Sequence, residues 1–257
     1  MQGENVEAKA RPPQISVLIP AHNEECTIKV CAQKTVAVLS RNGLEFEVVI
    51  VDDASTDATL ARAREIASTQ ENVRIVSRDS KGGKGAALVT GFREAKGKVV
   101  ALLDADLEYA PEELPALIEP IIDGECDIVL GSRFLAKGNS FRFLHRLGNF
   151  VLTLATNILF DGKLTDVMTG HKSMARRSLE GIQISQMDFR FEVEFTANAL
   201  RRGMVIKEIP ITYHPRRHGQ SKIDWRDGIR CILYLFKLRR MTKDVTGTAL
   251  HENTAAT

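Results

Sequence analysis

Short runs of apolar residues alternate with longer amphipathic segments over the first half of the chain. The runs at residues 15–19, 46–51, 73–76, 98–103 and 127–130 have the length and the β-branched content of buried strands. The segments between them carry apolar residues at helical spacing, and they begin with capping residues such as Ser55 or with Pro111. Strands and helices that alternate in this way are typical of βαβ units. The pattern predicts an α/β fold with a mainly parallel sheet and helices on both faces.

The pattern changes after Arg133. Residues 141–160 and 191–202 predict helices, residues 165–172 a polar loop, and residues 205–213 a strand that Pro210 interrupts. Residues 225–240 predict a last helix with an apolar face bordered by cations. The apolar face comprises Trp225, Ile229, Ile232, Leu233 and Phe236. The cations are Arg226, Arg230, Lys237, Arg239 and Arg240.

These changes divide the chain into four parts. Residues 1–14 and 242–257 are polar and are expected to be flexible, whereas residues 15–222 form the α/β domain and residues 223–241 a basic amphipathic helix. Within the domain, residues 15–133 are a Rossmann-like nucleotide-binding half, and residues 134–222 form a second half. No Gly-x-Gly-x-x-Gly follows the first predicted strand, which disfavours a dehydrogenase.

Acidic and polar side chains stand at the ends of three predicted strands. They are, in chain order, Asn23, Glu24, Asp52, Asp53, Asp104 and Asp106. Ligands of open α/β sheets bind beyond the carboxyl ends of the strands. Side chains at positions i and i+2 of an extended segment point the same way, so Asp104 and Asp106 can face one Mg²⁺ or Mn²⁺ ion. The structural alternative for an isolated Asp-x-Asp is a turn or a helix cap.

A glycine-rich segment with two lysines, residues 81–85, precedes the third predicted helix. Its backbone amides and lysine side chains suit phosphate oxygens. A carboxylate at the end of the second strand is placed to accept hydrogen bonds from a base or a ribose. These segments together predict a nucleotide site with a metal-bound diphosphate.

Composition limits the classes of function. The chain has 257 residues, a formal net charge of +2, 44% hydrophobic and 26% charged residues, which suits a substantial core and disfavours a nucleic-acid partner. The four cysteines lack zinc-binding spacing and are interpreted as small hydrophobic residues in a reducing cytoplasm. No apolar signal segment is present, and the uncharged run at residues 147–160 is shorter than the ~20 residues of a membrane-spanning helix. We therefore expect a chain that does not cross a membrane.

Segments in both halves resemble a known family. Residues 20–24 (Pro-Ala-His-Asn-Glu), 52–57 (Asp-Asp-Ala-Ser-Thr-Asp), 83–87 (Gly-Lys-Gly-Ala-Ala) and 104–106 (Asp-Ala-Asp) resemble the family 2 inverting GT-A glycosyltransferases. Residues 131–134, 165–172, 191–194 and 208–222 resemble the polyprenyl-phosphate hexosyltransferases, which include dolichol-phosphate mannose synthases. The resemblance covers about residues 15–222. It implies a GT-A fold, a GDP-mannose or UDP-glucose donor, and a polyprenyl or dolichyl phosphate acceptor.

The resemblance also implies roles for individual residues. The nucleotide sugar is expected to contact Pro20, Asn23, Glu24, Asp52, Asp53, Lys84 and Ala105. A Mg²⁺ or Mn²⁺ ion is expected at Asp104, Asp106 and Glu108. The acceptor phosphate is expected at Arg133, Arg217, Ser221 and Lys222. Catalysis is accordingly assigned to the two aspartates of the metal set together with Arg133, Arg217 and Lys222.

The sequence departs from the resemblance at His22, at Glu108 and at residues 169–171, which leaves the donor sugar open. An acceptor hydroxyl is an alternative, and it would require a general base. Asp166 and Glu192 are candidates for that base, for a supporting residue or for a helix cap. A catalytically silent membrane-associated subunit and a sugar nucleotidylyltransferase are further alternatives. The histidines His171, His214 and His218 are interpreted as local hydrogen-bonding residues.

The amphipathic segments at residues 141–160 and 225–240 have two interpretations. Each is an ordinary core-facing helix, or it lies in a membrane interface as its basic flanks and aromatic residues suit. The lipid acceptor that the resemblance implies favours the interface. We therefore expect peripheral attachment to the cytoplasmic face of a membrane, and an integral-membrane partner subunit remains open.

Overall fold

The computed structural model describes residues 13–136, 138, 143–216 and 225–252. Its strands are β1 (Ile15–Ala21), β2 (Phe46–Asp52), β3 (Val73–Ser77), β4 (Val99–Leu102), β5 (Ile128–Ser132), β6 (Lys172–Ala175) and β7 (Ile206–Pro210). Its helices are α1 (Ile28–Arg41), α2 (Thr59–Ala67), α3 (Lys84–Glu94), α4 (Leu114–Ile122), α5 (Phe143–Phe160), α6 (Arg176–Leu179), α7 (Phe191–Arg201) and α8 (Trp225–Glu252). A 3₁₀ turn at Pro111–Glu113 precedes α4.

The described strands form one seven-stranded sheet in the order β3-β2-β1-β4-β6-β5-β7. Strand β6 runs antiparallel to its neighbours β4 and β5, and all other neighbouring strands are parallel. Helices α1, α2 and α4 pack on one face, while α3, α5, α7 and α8 pack on the other. The predicted α/β fold with a mainly parallel sheet and helices on both faces is confirmed.

The register of the central strands brings their ends to one edge. Ala21 of β1 pairs with Asp52 of β2, and Leu18 of β1 pairs with Leu102 of β4. The loops that follow these three strands therefore leave the sheet side by side. This edge is the place where the acidic residues of the three loops meet.

Strand β6 was not predicted, because residues 165–172 were interpreted as a polar loop that ends at Lys172. The strand Lys-Ser-Met-Ala is short and begins with two polar residues, so it carries no apolar signal. It is nevertheless buried at all four positions, because β4 and β5 cover both of its edges. Pairing with distant strands decided its conformation.

The last helix is longer than expected. Helix α8 continues to Glu252, so residues 242–252, expected in a flexible tail, are helical. No proline interrupts this segment, and each added residue extends an existing helix at little cost. Residues 1–12 and 253–257, also expected to be flexible, lie outside the described residues. Among the helices that the structure describes, none combines the length and the apolar character needed to cross a membrane.

Gly97 marks a tight approach between β1 and the start of β4. Its amide donates to Ser16 Oγ at 2.8 Å, and an added Cβ would lie 2.5 Å from the carbonyl carbon of Ile15. We expect Gly97→Ala to push the backbones apart and to lower the free energy of unfolding by about 1–3 kcal/mol. Urea denaturation measures this change.

The matched control is Gly148→Ala in α5, where an added Cβ meets open space. This substitution should raise the free energy of unfolding by up to about 1 kcal/mol through helix propensity. Equal stability of the Gly97→Ala variant and the wild-type protein would contradict the proposed packing of β1 against β4.

Candidate active site

The acidic loop after β4 forms the centre of the candidate site. Asp106 is buried, and Asp104 and Glu108 are partly buried beside it. Leu107 adopts a left-handed backbone conformation with φ of 61°, and the amide of Glu108 donates to Asp106 Oδ1 at 3.0 Å. This turn presents several carboxylates on a short stretch of chain, but the two aspartates do not face the same way as the i, i+2 spacing predicted, because the segment is a turn and not an extended strand.

Arg216 binds this acidic loop, a contact that the sequence did not indicate. Its guanidinium pairs with Asp106, lies 3.4 Å from Glu108 Oε1 and 3.7 Å from Glu24 Oε1. A β-bridge between Tyr109 and Tyr213 brings the arginine here, supported by a hydrogen bond from His214 N to Glu108 O at 2.9 Å. The adjacent Arg217, predicted to hold the acceptor, lies outside the described residues, as do Ser221 and Lys222.

Burial and like charges shift the pKa values of these acids. Burial raises the pKa of Asp106, and the neighbouring Asp104 carboxylate raises it further. Burial and the charge of Asp106 raise the pKa of Glu108 to about 7 although Arg216 opposes the shift. Burial alone would raise the pKa of Asp104, but Lys84 holds it below its ordinary value. The loop therefore carries excess negative charge that attracts a cation.

Lys84 supplies the second cation of the site. It is the first residue of α3, and its Nζ lies 2.8 and 2.9 Å from the two carboxylate oxygens of Asp104. The same Nζ lies 2.9 Å from Glu192 Oε1. The glycine-rich segment thus delivers its lysine to the acidic loop, and this is the cation that was predicted near the phosphates.

The two aspartates that end β2 have different environments. Asp53 accepts hydrogen bonds from Arg78 Nε at 2.8 Å, Gly82 N at 2.9 Å and Gly83 N at 2.7 Å. Asp52 is 1% exposed and accepts a hydrogen bond from Ser55 N, while its Oδ1 has no hydrogen-bond partner among the described residues. Asp53 therefore fixes the glycine-rich segment, and Asp52 is the better candidate to contact a nucleotide.

Three other residues expected at the nucleotide have structural contacts. Asn23 Oδ1 accepts a hydrogen bond from Thr56 N at 2.8 Å, which joins the loops after β1 and β2. Pro20 lies near the end of β1, and Ala105 is 3% exposed and packs in the core on the side of α1. They lie at the predicted edge of the sheet.

Arg133 is held by Asp166 on the other side of the site. Its Nε and Nη2 donate to the two carboxylate oxygens of Asp166 at 2.7 and 2.8 Å, and Asn149 Nδ2 donates to the same carboxylate at 2.8 Å. The guanidinium carbon lies 6.0 Å from the centre of the Tyr213 ring. Asp166 is fully buried and serves as the anchor of Arg133.

His171 is a local hydrogen-bonding residue, as the sequence indicated. Its Nδ1 lies 3.1 Å from the carbonyl oxygen of Leu102, and its ring stacks on Tyr109 with centroids 5.5 Å apart. Burial lowers its pKa to about 4, so the ring is neutral at pH 7. Tyr109 was not predicted as part of the site, yet its hydroxyl accepts a hydrogen bond from Gly170 N at 3.0 Å.

The carboxylates of the site fit a divalent ion in chemistry but not in arrangement. Within the described ranges no group of three or more His, Cys, Asp or Glu side chains is assembled to hold a metal. The expected set is divided, because Asp104 faces Lys84 while Asp106 and Glu108 face Arg216. The donor chemistry still fits, since Mg²⁺ and Mn²⁺ prefer carboxylate oxygens and take further ligands from phosphates. A metal ion at Asp106 would have to replace the guanidinium of Arg216.

Glu108 gives the site a measurable pH dependence. Its pKa rises from an ordinary 4.5 to about 7, so between these pH values the folded protein binds a proton that the unfolded chain releases. The free energy of unfolding should therefore fall as pH rises through this window. We expect Glu108→Gln to raise the melting temperature relative to the wild-type protein at pH 7 and above, and to leave it unchanged below pH 4.5.

Glu112→Gln is the control with the opposite sign. Burial would raise the pKa of Glu112, but a local backbone hydrogen bond and Lys34 hold it below its ordinary value. This variant should lose stability at neutral pH. A loss of stability in Glu108→Gln at pH 8 would instead mean that the ion pair with Arg216 outweighs the repulsion among the acids.

Comparison with known proteins identifies the family. Residues 16–182 match Glycosyl transferase family 2. The chain is 28% identical over 237 residues to the dolichol-phosphate mannosyltransferase of Pyrococcus furiosus, covering 90% of this chain and 65% of that protein. It is 32% identical over 226 residues to the low-salt glycan biosynthesis hexosyltransferase Agl6 of Haloferax volcanii, covering 87% and 53%. It is 31% identical over 228 residues to the polyprenol monophosphomannose synthase of Mycolicibacterium smegmatis, covering 84% and 83%.

The chain thus spans just under two thirds of the length of the P. furiosus protein and about half of the length of the H. volcanii protein. Among solved structures, it is similar to the glucosyl-3-phosphoglycerate synthase of Mycobacterium tuberculosis in complex with Mn²⁺, UDP and glucosyl-3-phosphoglycerate. The TM-score is 0.68 at 24% identity, covering 88% of this chain and 80% of that one. This likeness supports the GT-A fold. With the family match extending over residues 16–182, the chain belongs to glycosyl transferase family 2.

Proposed function

We propose that this enzyme transfers a hexose from a nucleotide sugar to a polyprenyl or dolichyl phosphate at a membrane surface, with inversion at the anomeric carbon. The observation that carries the proposal is the position of Arg133. It is fixed by Asp166, and the chain neighbours of these two residues, Phe134 and Thr165, line an apolar groove. The names of the relatives from P. furiosus and M. smegmatis, a dolichol-phosphate mannosyltransferase and a polyprenol monophosphomannose synthase, support the same acceptor class.

The donor half uses the ends of β2 and β4. Asp52 Oδ1 is available for a base or ribose, and Lys84 is placed to neutralise a diphosphate. Asp104 and Asp106 would hold a Mg²⁺ or Mn²⁺ ion, with Glu108 as a third candidate ligand. When bound, such an ion stabilises the charge on a departing nucleoside diphosphate. The similar structure with bound Mn²⁺ and UDP supports this assignment.

The proposed acceptor half comprises Arg133 and the groove that begins at the adjacent Phe134. The groove has a volume of about 430 Å³ and an apolar lining that includes Phe134, Leu147, Phe150, Leu154 and Leu164. Thr165, next to the Asp166 anchor, lies at its wall. A guanidinium binds a phosphate and an apolar groove binds an isoprenoid chain, so both ends of a lipid phosphate find matching surfaces. Arg217, Ser221 and Lys222 remain proposed phosphate ligands.

Helices α5 and α8 add an exposed apolar surface. On α5, Phe150 and Ile158 are 58% and 72% exposed, and on α8 Leu233 and Phe236 are 64% and 51% exposed. The opposite side of α8, with Cys231 and Leu235, packs in the core. Each helix therefore has one apolar side in the core and another in solvent. The exposed apolar side suits a membrane interface, because cations border it on α8.

A lipid phosphate makes a general base unnecessary. Its oxygen is already ionised at neutral pH, since the second pKa of a phosphate monoester is about 6. The chain then has to place the phosphate and neutralise its charge. Asp166 fits this requirement, because both of its oxygens accept hydrogen bonds and fix Arg133. An acceptor hydroxyl would need a base, and this is the alternative that experiments must separate.

A donor and acceptor panel tests the proposal. GDP-mannose and UDP-glucose are each offered with a short polyprenyl phosphate and Mg²⁺ or Mn²⁺. We expect transfer from one donor, complete loss in EDTA, and no transfer to free sugar hydroxyls. Hydrolysis of the donor without transfer to the lipid would contradict the proposed lipid-phosphate acceptor. The absence of both reactions would favour a catalytically silent subunit.

Asp166→Asn separates the two mechanisms. It should raise the acceptor KM by about tenfold to a hundredfold because Arg133 loses its anchor. The single-turnover rate at saturating acceptor should remain within about tenfold of wild type, because no proton has to be removed. Arg133→Lys keeps the positive charge but loses the two parallel hydrogen-bond donors of the guanidinium, so it should raise the acceptor KM in the same way.

The matched control is Asp127→Asn. Asp127 directly precedes β5, whereas Arg133 directly follows it, and the Asp127 carboxylate accepts hydrogen bonds from Val205 N and Arg177. Its acceptor KM should equal that of wild type. A loss of about 10³-fold in the single-turnover rate of Asp166→Asn with an unchanged acceptor KM would indicate a general base and a hydroxyl acceptor.

Vesicle flotation tests the membrane surface. The protein should float with vesicles of phosphatidylcholine and phosphatidylglycerol at low salt and be released at high salt, because each cation near an anionic surface contributes about 1 kcal/mol. Replacing Leu233 and Phe236 together by Gln should lower the partition coefficient by about tenfold or more. Both residues are exposed, so the fold should persist.

Val205→Gln removes another exposed apolar side chain, at the edge of the sheet before β7, and should leave vesicle binding unchanged. If wild type does not bind vesicles at low salt, the exposed surface of α5 and α8 does not contact lipid.

A further inference from the structure

A buried ion pair beside the acidic site has no role in the function proposed so far. Lys172, the first residue of β6, is 0% exposed. Its ammonium group donates to the carbonyl oxygen of Thr169 and to Glu192 Oε2. Glu192 lies in the first turn of α7 and is 2% exposed. Lysine is almost never fully buried unless it is paired, and here Glu192 is the charged partner.

The pair is part of a row of four alternating charges. The second oxygen of Glu192 lies 2.9 Å from Lys84 Nζ, and that ammonium contacts both oxygens of Asp104. The row therefore runs from Lys172 through Glu192 and Lys84 to Asp104. Each member comes from a different element: β6, α7, α3 and the loop after β4.

The backbone at Gly170 packs closely against this row of charges. A Cβ added at Gly170 would lie against Asp104 Oδ2 and 2.9 Å from Lys84 Nζ. The amide of the same glycine donates to the Tyr109 hydroxyl at 3.0 Å. The ammonium of Lys84 thus lies between Glu192, Asp104 and the backbone of Gly170.

We propose that Lys172 and Glu192 are positioning residues that hold Lys84 at Asp104, where its ammonium meets the diphosphate of the donor. Glu192 Oε2 accepts a hydrogen bond from Lys172, while Oε1 forms an ion pair with Lys84 at 2.9 Å without the geometry of a hydrogen bond. In this proposal Glu192 acts on Lys84 through its charge and is not a general base. This inference rests on the proposed nucleotide-sugar donor and is independent of the acceptor.

The charges of the row predict how substitutions combine. In the Lys172→Met variant, Glu192 is an uncompensated buried anion that competes with Asp104 for Lys84. Adding Glu192→Gln removes the competing anion, although Lys84 then lacks the carboxylate that fixes it beside Asp104. The second substitution should therefore remove the damage caused by the competition and leave only the loss that Glu192→Gln causes by itself. A general base at Glu192 predicts the reverse, because its loss would add to the damage in any background.

The experiment measures nucleotide binding and turnover in the two single variants and the double variant. Calorimetry gives the Kd of GDP and of UDP, each with Mn²⁺ and without acceptor, and steady-state assays give kcat/KM for the donor. We expect Lys172→Met to weaken the binding of the nucleotide that wild type prefers, and to lower kcat/KM, by about tenfold or more. The double variant should return to within about threefold of Glu192→Gln alone. A double variant as impaired as Lys172→Met, or more so, would overturn the proposal.

Two further variants distinguish the positioning role from a general loss of stability. Glu192→Asp keeps the charge and shortens the side chain, so it should raise the nucleotide Kd while the acceptor KM stays unchanged; a wild-type Kd in this variant would also overturn the proposal. Glu47→Gln is the matched control, because Glu47 is a buried glutamate paired with Arg74 at the opposite edge of the sheet. It should lose stability without any change in nucleotide binding. If neither GDP nor UDP binds the wild-type protein, the donor assignment itself fails, which is distinct from failure of the positioning role.

Discussion

Charge compensation at the carboxyl edge of the sheet is the constraint on which the site depends. The parallel register of β1, β2 and β4 brings Glu24 and the carboxylates of the loop after β4 to one place. Burial, and then repulsion by neighbouring carboxylates, raises the pKa values of Asp106 and Glu108. Two cations from distant parts of the chain, Lys84 and Arg216, balance them. The position of each cation determines which acids remain available to a ligand.

Several carboxylates near the site support the backbone or another side chain. Asp53 holds the glycine-rich segment, Asp166 holds Arg133, and Glu208 accepts hydrogen bonds from the amides of Thr165 and Asp166. Because charged hydrogen bonds are strong and directional, these acids fix the groups around the cleft more firmly than packing alone. The acids of the loop after β4 instead pair with Lys84 and Arg216, and they are the proposed ligands of a metal ion.

The apolar surface of α5 and α8 extends the site beyond the sheet. The two helices pack against each other, and each places one apolar side in the core and another in solvent. An exposed surface of this kind is costly in water and marks an interaction site. Its continuity with the groove beside Arg133 joins the phosphate-binding and apolar parts of the proposed acceptor.

The sequence by itself determined the alternation of strands and helices, the acidic edge and the position of Lys84, because these follow from local periodicity and from the rule that ligands bind at strand ends. Only the tertiary structure decided the place of β6, since Lys172 is buried by pairing between β4 and β5 and carries no apolar signal. It also decided that Arg216 reaches the acids, through a bridge between Tyr109 and Tyr213 that joins segments about a hundred residues apart. Contacts between distant segments depend on the folded backbone, so no local pattern of residues could specify them.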